Sequence, residues 1–162
     1  MNIDELKQAF IYEAETGLIK RAVDAGKRWR KGQVAGSING QGYMEVKFQG
    51  RVYQAHRLAW ALHFGEQPPE FLDHINRDKL DNRITNLRPA TKSQNNANRT
   101  ALRNNKHGIK GCYWINKTSS WRVQCRVNKK LHNVGYFKEL DAAKAAYTAF
   151  AAQHFGEFHS PA

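Results

Sequence analysis

Leu72-Asp73-His74-Ile75-Asn76, answered by Thr85-Asn86-Leu87-Arg88 and Thr91-Lys92-Ser93-Gln94-Asn95-Asn96, is the stretch on which the reading of this chain turns. An Asp-His pair closes a short apolar run, as at the end of a β-strand, and a polar, turn-prone segment from Asn76 to Arg83 follows. Ile84-Thr85-Asn86-Leu87 reads as the returning strand. Thr91 stands three residues before Gln94, the spacing of a capping box, which predicts a helix from about Lys92 to Leu102. Asn95 then falls in the first turns of that helix, on the side facing back towards Asp73 and His74. Strand, long loop, strand and helix would gather a carboxylate, an imidazole and an amide at one small site.

That set suits phosphodiester cleavage. Asp73 and Asn95 offer hard oxygen ligands for Mg²⁺, or Mn²⁺ in its place, ions that keep several waters and also bind phosphate. His74 beside them is the candidate general base, because a free imidazole titrates near neutrality. An isolated Asp-His pair is most often only a turn, and Asn-rich tracts usually cap helices and fill turns; Asn82, Asn96 and Asn98 are read as structural for that reason. From Tyr43 to Arg99 the chain resembles the HNH endonucleases of the ββα-metal class, in particular the homing-type branch of phages and introns. The resemblance implies a metal held by Asp73 and Asn95, His74 as the base, and Asn86 as the residue tying the two strands together. His56, in the His-Arg-Leu segment that recurs in this branch, is expected to support the site rather than ligate.

Net charge is +12 over 162 residues. From Asn82 to Lys138 there is no Asp or Glu, yet 13 of the 26 Lys and Arg lie there, a one-sidedness that points to a polyanionic partner. Double-stranded DNA is the expected partner, and a membrane is not, since no long apolar span appears. Cys112 and Cys125 lack CxxC partners, so a zinc ribbon is not expected and reduced core thiols are. Met1-Asn2-Ile3-Asp4-Glu5 is polar and acidic, unlike a targeting peptide, and predicts a cytoplasmic protein.

In chain order, a helix is expected over Asp4 to Phe10, then a strand pair about Glu15-Thr16-Gly17. A basic segment, Lys20 to Lys31, suits either a phosphate-contacting arm or a solvated loop. A half-buried strand, Tyr43 to Phe48, turns at Gln49-Gly50 and leads to a helix over Ala55–Leu62, closed by Pro68-Pro69. His56 and His63 lie seven apart on that helix and so share a face. Past the linker Arg99 to Gly108, Trp121 to Val127 alternates strictly: Trp121, Val123, Cys125 and Val127 on one face, Arg122, Gln124 and Arg126 on the other. Strands at Gly111–Ile115 and Leu131–Phe137 flank it, and Glu139 to Phe155 carries a helical apolar stripe.

Three strands backed by one helix leave a free face of Arg and Gln, side chains that read base edges in a major groove. Gly108-Ile109-Lys110-Gly111-Cys112, Trp121-Arg122-Val123-Gln124-Cys125-Arg126, Val134-Gly135-Tyr136-Phe137, Ala142-Ala143-Lys144-Ala145-Ala146-Tyr147 and Phe155-Gly156-Glu157-Phe158 resemble the ethylene-response-factor, or APETALA-class, DNA-binding domain. That resemblance implies DNA contacts from Lys110, Tyr113, Arg122, Gln124 and Arg126. Asn133 departs from it, standing where members often carry a large aromatic. The expectation is an α+β chain: a ββα-metal HNH nuclease domain over 1–104, followed over 105–162 by a three-stranded antiparallel sheet packed on one helix. The alternative is a DNA-binding regulator on a nuclease fold that no longer cuts. The sequence leaves monomer and homodimer equally open.

Overall fold

The computed structural model describes residues 1–99, 105 and 109–159, and the chain divides into two units, Met1–Ala90 and Thr91–Ala162. The expected linker, the 104/105 boundary and the far end of the expected catalytic helix fall largely outside the described residues.

In the first unit, α1 (Ile3–Ala9) is capped by Asn2, whose side-chain oxygen accepts the Glu5 N–H. Strands β1 (Phe10–Glu13) and β2 (Leu18–Arg21) form the expected hairpin, with Phe10 opposite Arg21. A second antiparallel sheet joins β3 (Ser37–Ile38), β4 (Met44–Phe48) and β5 (Arg51–Gln54) in that order. Gln49 and Gly50, both at positive φ (47° and 76°), make the tight turn between its last two strands.

Helix α2 (Ala55–Phe64) is the wedge of the unit. Its Ala55 and Leu58 join a core of Leu6, Phe10, Ile19 and Val46, while Ala59 and Trp60 pack with Leu72 and Leu87 beneath the candidate site. The helix stops at Gly65, three residues before the Pro68-Pro69 pair that the sequence pointed to. Gly65 takes a left-handed conformation (φ 72°) and bonds its N–H to the Ala61 carbonyl.

Strands β6 (Phe71–His74) and β7 (Leu87–Ala90) then pair antiparallel, setting Asp73 opposite Arg88 and His74 opposite Leu87. Ile84–Asn86, read from sequence as strand, is a 3₁₀ turn instead. The backbone and side chain of Asn86 are both bonded within the 75–86 loop and so do not enter the ladder.

In the second unit, α3 (Lys92–Asn98) starts at Thr91 with both bonds of the capping box: Gln94 N–H to Thr91 Oγ1 at 3.2 Å and Thr91 N–H to Gln94 Oε1 at 2.7 Å. It ends at Asn98, short of Leu102. Arg99 is already extended, and Lys110 Nζ takes up the carbonyls of Asn96, Ala97 and Arg99 that the helix leaves open. β8 (Cys112–Ile115), β9 (Ser120–Val127) and β10 (Lys130–Phe137) form the expected antiparallel sheet in the order β10-β9-β8, the last hairpin turning on Asn128 and Lys129 at positive φ.

Helix α4 (Leu140–Phe155) covers one face. Its buried Ala143, Tyr147, Ala151 and Phe155 recur every four residues, and Trp121, Val123 and Cys125 are the buried side chains of the central strand. Both cysteines are free and buried, and burial pushes their thiols up, which makes them poor nucleophiles. The chain is thus α+β, and among the described residues no helix is long and apolar enough to cross a membrane.

Candidate active site and DNA-facing surface

Asp73 and His74 are the last residues of β6, where the chain leaves the ladder for the 75–86 loop. Both are buried, at 4% and 6% exposure, which is unusual for an acid and an imidazole outside a functional or paired setting. Asp73 Oδ2 accepts from Arg88 Nε at 2.9 Å, and a terminal guanidinium nitrogen lies at the same distance. Arg88 is its cross-strand neighbour on β7, so the register itself supplies the countercharge.

His74 Nε2 lies 3.1 Å from Asn82 Oδ1. Burial lowers the His74 pKa from its usual value, and the Asn82 hydrogen bond and the nearby Asp73, Asp78 and Asp81 only partly oppose that. The ring is therefore neutral at physiological pH, the state a general base requires. His56 sits edge-on to His74 with ring centroids 5.1 Å apart, and Tyr43 lies against both. Burial drives His56 down to about 3, so it too is neutral, and its ring packs against those of Tyr43 and His74. His63 shares the helical phase but is exposed two turns further along.

Asn86 ties the loop to the strands. Its side-chain oxygen accepts the Asn76 N–H, its amide donates to Asn76 Oδ1 and the Asp81 carbonyl, and its own carbonyl accepts the Ile75 N–H at 2.9 Å. Asp81 is held down to about 2, chiefly by hydrogen bonds from Arg83. The sequence missed Arg88 and Asn82 as members of this site. Strand alternation was the available signal for Arg88; for Asn82 there was none.

Asn95, the other expected ligand, is half-buried in the first turn of α3 in the second unit, with its N–H on the Thr91 carbonyl; Asn96 beside it is exposed. Among the described residues, no three His, Cys, Asp or Glu side chains gather as a metal cage. An aspartate carboxylate and an asparagine amide oxygen are each hard donors, of the kind that suit Mg²⁺ with its retained waters and phosphate oxygens rather than a Zn²⁺ site of His and Cys.

In the second unit, the open face of the sheet has the predicted composition. The register aligns Tyr113, Arg122 and Tyr136 across the three strands, and sets Gln124 beside Asn133 and Arg126 beside Leu131. Tyr113 and Tyr136 are half exposed and Arg126 is exposed, whereas Arg122 and Gln124 are partly covered. A cavity of about 790 Å³ in this unit is lined by Lys92, Ser93, Tyr113, Gln124 and Arg126, and also by Cys125, Tyr147 and Phe155 from the helix-covered side. Lys110, also expected to touch DNA, spends its ammonium on the end of α3.

Residues 53–97, from β5 through α3, match the family model of the HNH endonucleases, so the chain carries an HNH endonuclease domain. An uncharacterised HNH endonuclease, L560, of Acanthamoeba polyphaga mimivirus is 30% identical over 110 residues, 67% of this chain and 56% of that protein. Protein 3.8 of Escherichia phage T7 is 30% identical over 79 residues, 48% of this chain and 65% of its own. The chain therefore spans between about half and two thirds of the length of these curated relatives. No solved structure matches it.

Proposed function

We propose that this chain is a metal-dependent DNA endonuclease that hydrolyses phosphodiester bonds, with the sheet of the second unit binding the DNA target. The observation that carries the reading is His74: a buried imidazole at a strand end, next in the chain to a carboxylate and hydrogen-bonded to Asn82. In this reading His74 removes a proton from the attacking water, the water oxygen bonds to phosphorus, and the bond to the 3′ oxygen breaks. Asp73 and Asn95 hold the divalent ion, Mg²⁺ or Mn²⁺. Once bound, the ion supplies positive charge to the phosphate and to the leaving oxygen. His56, Tyr43 and Asn86 keep the base and its loop in place. The rival reading, a DNA-binding protein that does not cut, draws on Arg88, which already neutralises Asp73.

Supercoiled plasmid separates the two. The endonuclease converts it to the relaxed form in Mg²⁺ or Mn²⁺ and leaves it intact in EDTA; binding without any nicking in either metal would favour the rival reading.

For the second unit, we propose that Tyr113, Arg122, Gln124 and Arg126 face the DNA, in keeping with the APETALA-class resemblance and the open, cationic sheet face. Arg126→Ala is expected to lose about 1–3 kcal/mol of discrimination between preferred and unrelated duplexes, because an arginine can bond guanine at two positions. Its cutting rate at saturating protein should stay near the parent's. Affinity and preference unchanged at every salt concentration would mean that this face does not read DNA.

A further inference from the structure

We infer that Asn82 is a positioning residue that fixes His74 as the Nε2–H tautomer and so leaves the basic lone pair on Nδ1. The inference rests on the reading of His74 as general base. Asn82 is 3% exposed, and its amide nitrogen donates to the Leu80 carbonyl. That bond orients the amide, so the group presented to the imidazole, 3.1 Å from Nε2, is the oxygen Oδ1. An amide oxygen only accepts, hence Nε2 must carry the hydrogen. In a neutral ring the other nitrogen is then the proton acceptor.

Asn82 itself is clamped by chain distant in sequence. The Tyr12 hydroxyl donates to its carbonyl at 2.8 Å. The turn between β1 and β2 lies so close that a Cβ at Gly17 would come within 2.5 Å of Arg83 N and 2.7 Å of Asn82 C. The N-terminal hairpin therefore reaches the candidate base through one side chain. A residue that merely filled a loop would need neither the fixed amide nor the clamp.

Long-range ¹H–¹⁵N correlation spectra of the intact, ¹⁵N-histidine-labelled chain read the tautomer directly, without DNA or metal. The expected result is His74 protonated at Nε2 in the parent, a mixture of tautomers in Asn82→Ala, and recovery of the Nε2–H form in Asn82→Asp, which restores an oxygen acceptor. Plasmid nicking should follow the same order, falling roughly 10²-fold in Asn82→Ala, within the span of general-base catalysis, and returning substantially in Asn82→Asp. Tyr12→Phe, which removes only the hydroxyl on the Asn82 carbonyl, should loosen the tautomer preference part of the way, and it carries the test if Asn82→Ala does not fold. A parent protonated at Nδ1, or a folded Asn82→Ala with an unchanged Nε2–H signature, overturns the inference. A parent that shows the Nε2–H form yet cuts no DNA defeats the endonuclease reading instead, and the spectra of the variants still decide whether Asn82 sets the ring.

Discussion

His74→Ala is expected to nick plasmid in Mg²⁺ about 10²–10⁴-fold more slowly than the parent, the range that a positioned general base supplies, while binding DNA with nearly the same affinity. The two effects separate because the cations proposed to hold DNA lie on the sheet of the second unit, and His74 is buried at the end of β6. A loss of fold is the trivial explanation to exclude. The imidazole packs against His56 and Tyr43 and bonds to Asn82, so its removal should cost about 1–3 kcal/mol of stability. Thermal melting and saturating protein concentrations distinguish that cost from a lost base, since a folded, DNA-bound variant should still be slow. Nicking close to the parental rate across neutral pH would show that another residue activates the water.

The parts of this site that were legible in the sequence are those that local rules govern. The Asp-His pair ends a strand because an apolar run stops there, and Thr91 with Gln94 announces a helix start through two short-range bonds. Strict alternation in β9 sorted Trp121, Val123 and Cys125 from Arg122, Gln124 and Arg126, and the burial of the first three agrees. What failed was set by competition or by tertiary contact. Gly65 stopped α2 before Pro68 could. Asn86 left the ladder because its hydrogen bonds serve the loop. The continued polar pattern past Asn98 suggested more helix, but Arg99 is extended and Lys110 closes the end. Asn82 looked like any turn asparagine, because its partners Tyr12 and His74 come from separate elements. No window of sequence contains that triangle.

Gly111→Ala, which touches none of the proposed catalytic residues, is expected to be the most destabilising single-methyl change in the second unit. Gly111 leads into β8 at φ 72°, a left-handed conformation that costs an L-residue with a side chain about 1–2 kcal/mol. A Cβ there would also lie 2.3 and 2.4 Å from ring carbons of Tyr147 and 2.5 Å from the Gln124 carbonyl oxygen. Neither neighbour yields easily. Tyr147 is 4% exposed under the sheet, and the Gln124 backbone is anchored to the same residue by its N–H on the Gly111 carbonyl at 2.8 Å. Overpacking of this kind adds about 1–3 kcal/mol, so the total approaches 2–5 kcal/mol. For a unit of this size that lowers the melting temperature by roughly 8–40 °C. Gly40→Ala is the control, since its φ is ordinary and a Cβ there would meet nothing within 4 Å. Calorimetry should show Gly40→Ala melting with the parent and Gly111→Ala well below it. Duplex binding by Gly111→Ala should weaken as temperature approaches its lowered transition, because the central strand that carries Gln124 and Arg126 is displaced with it. A Gly111→Ala protein that melts within a degree or two of the parent would mean that β8 approaches Tyr147 far less closely than this packing requires.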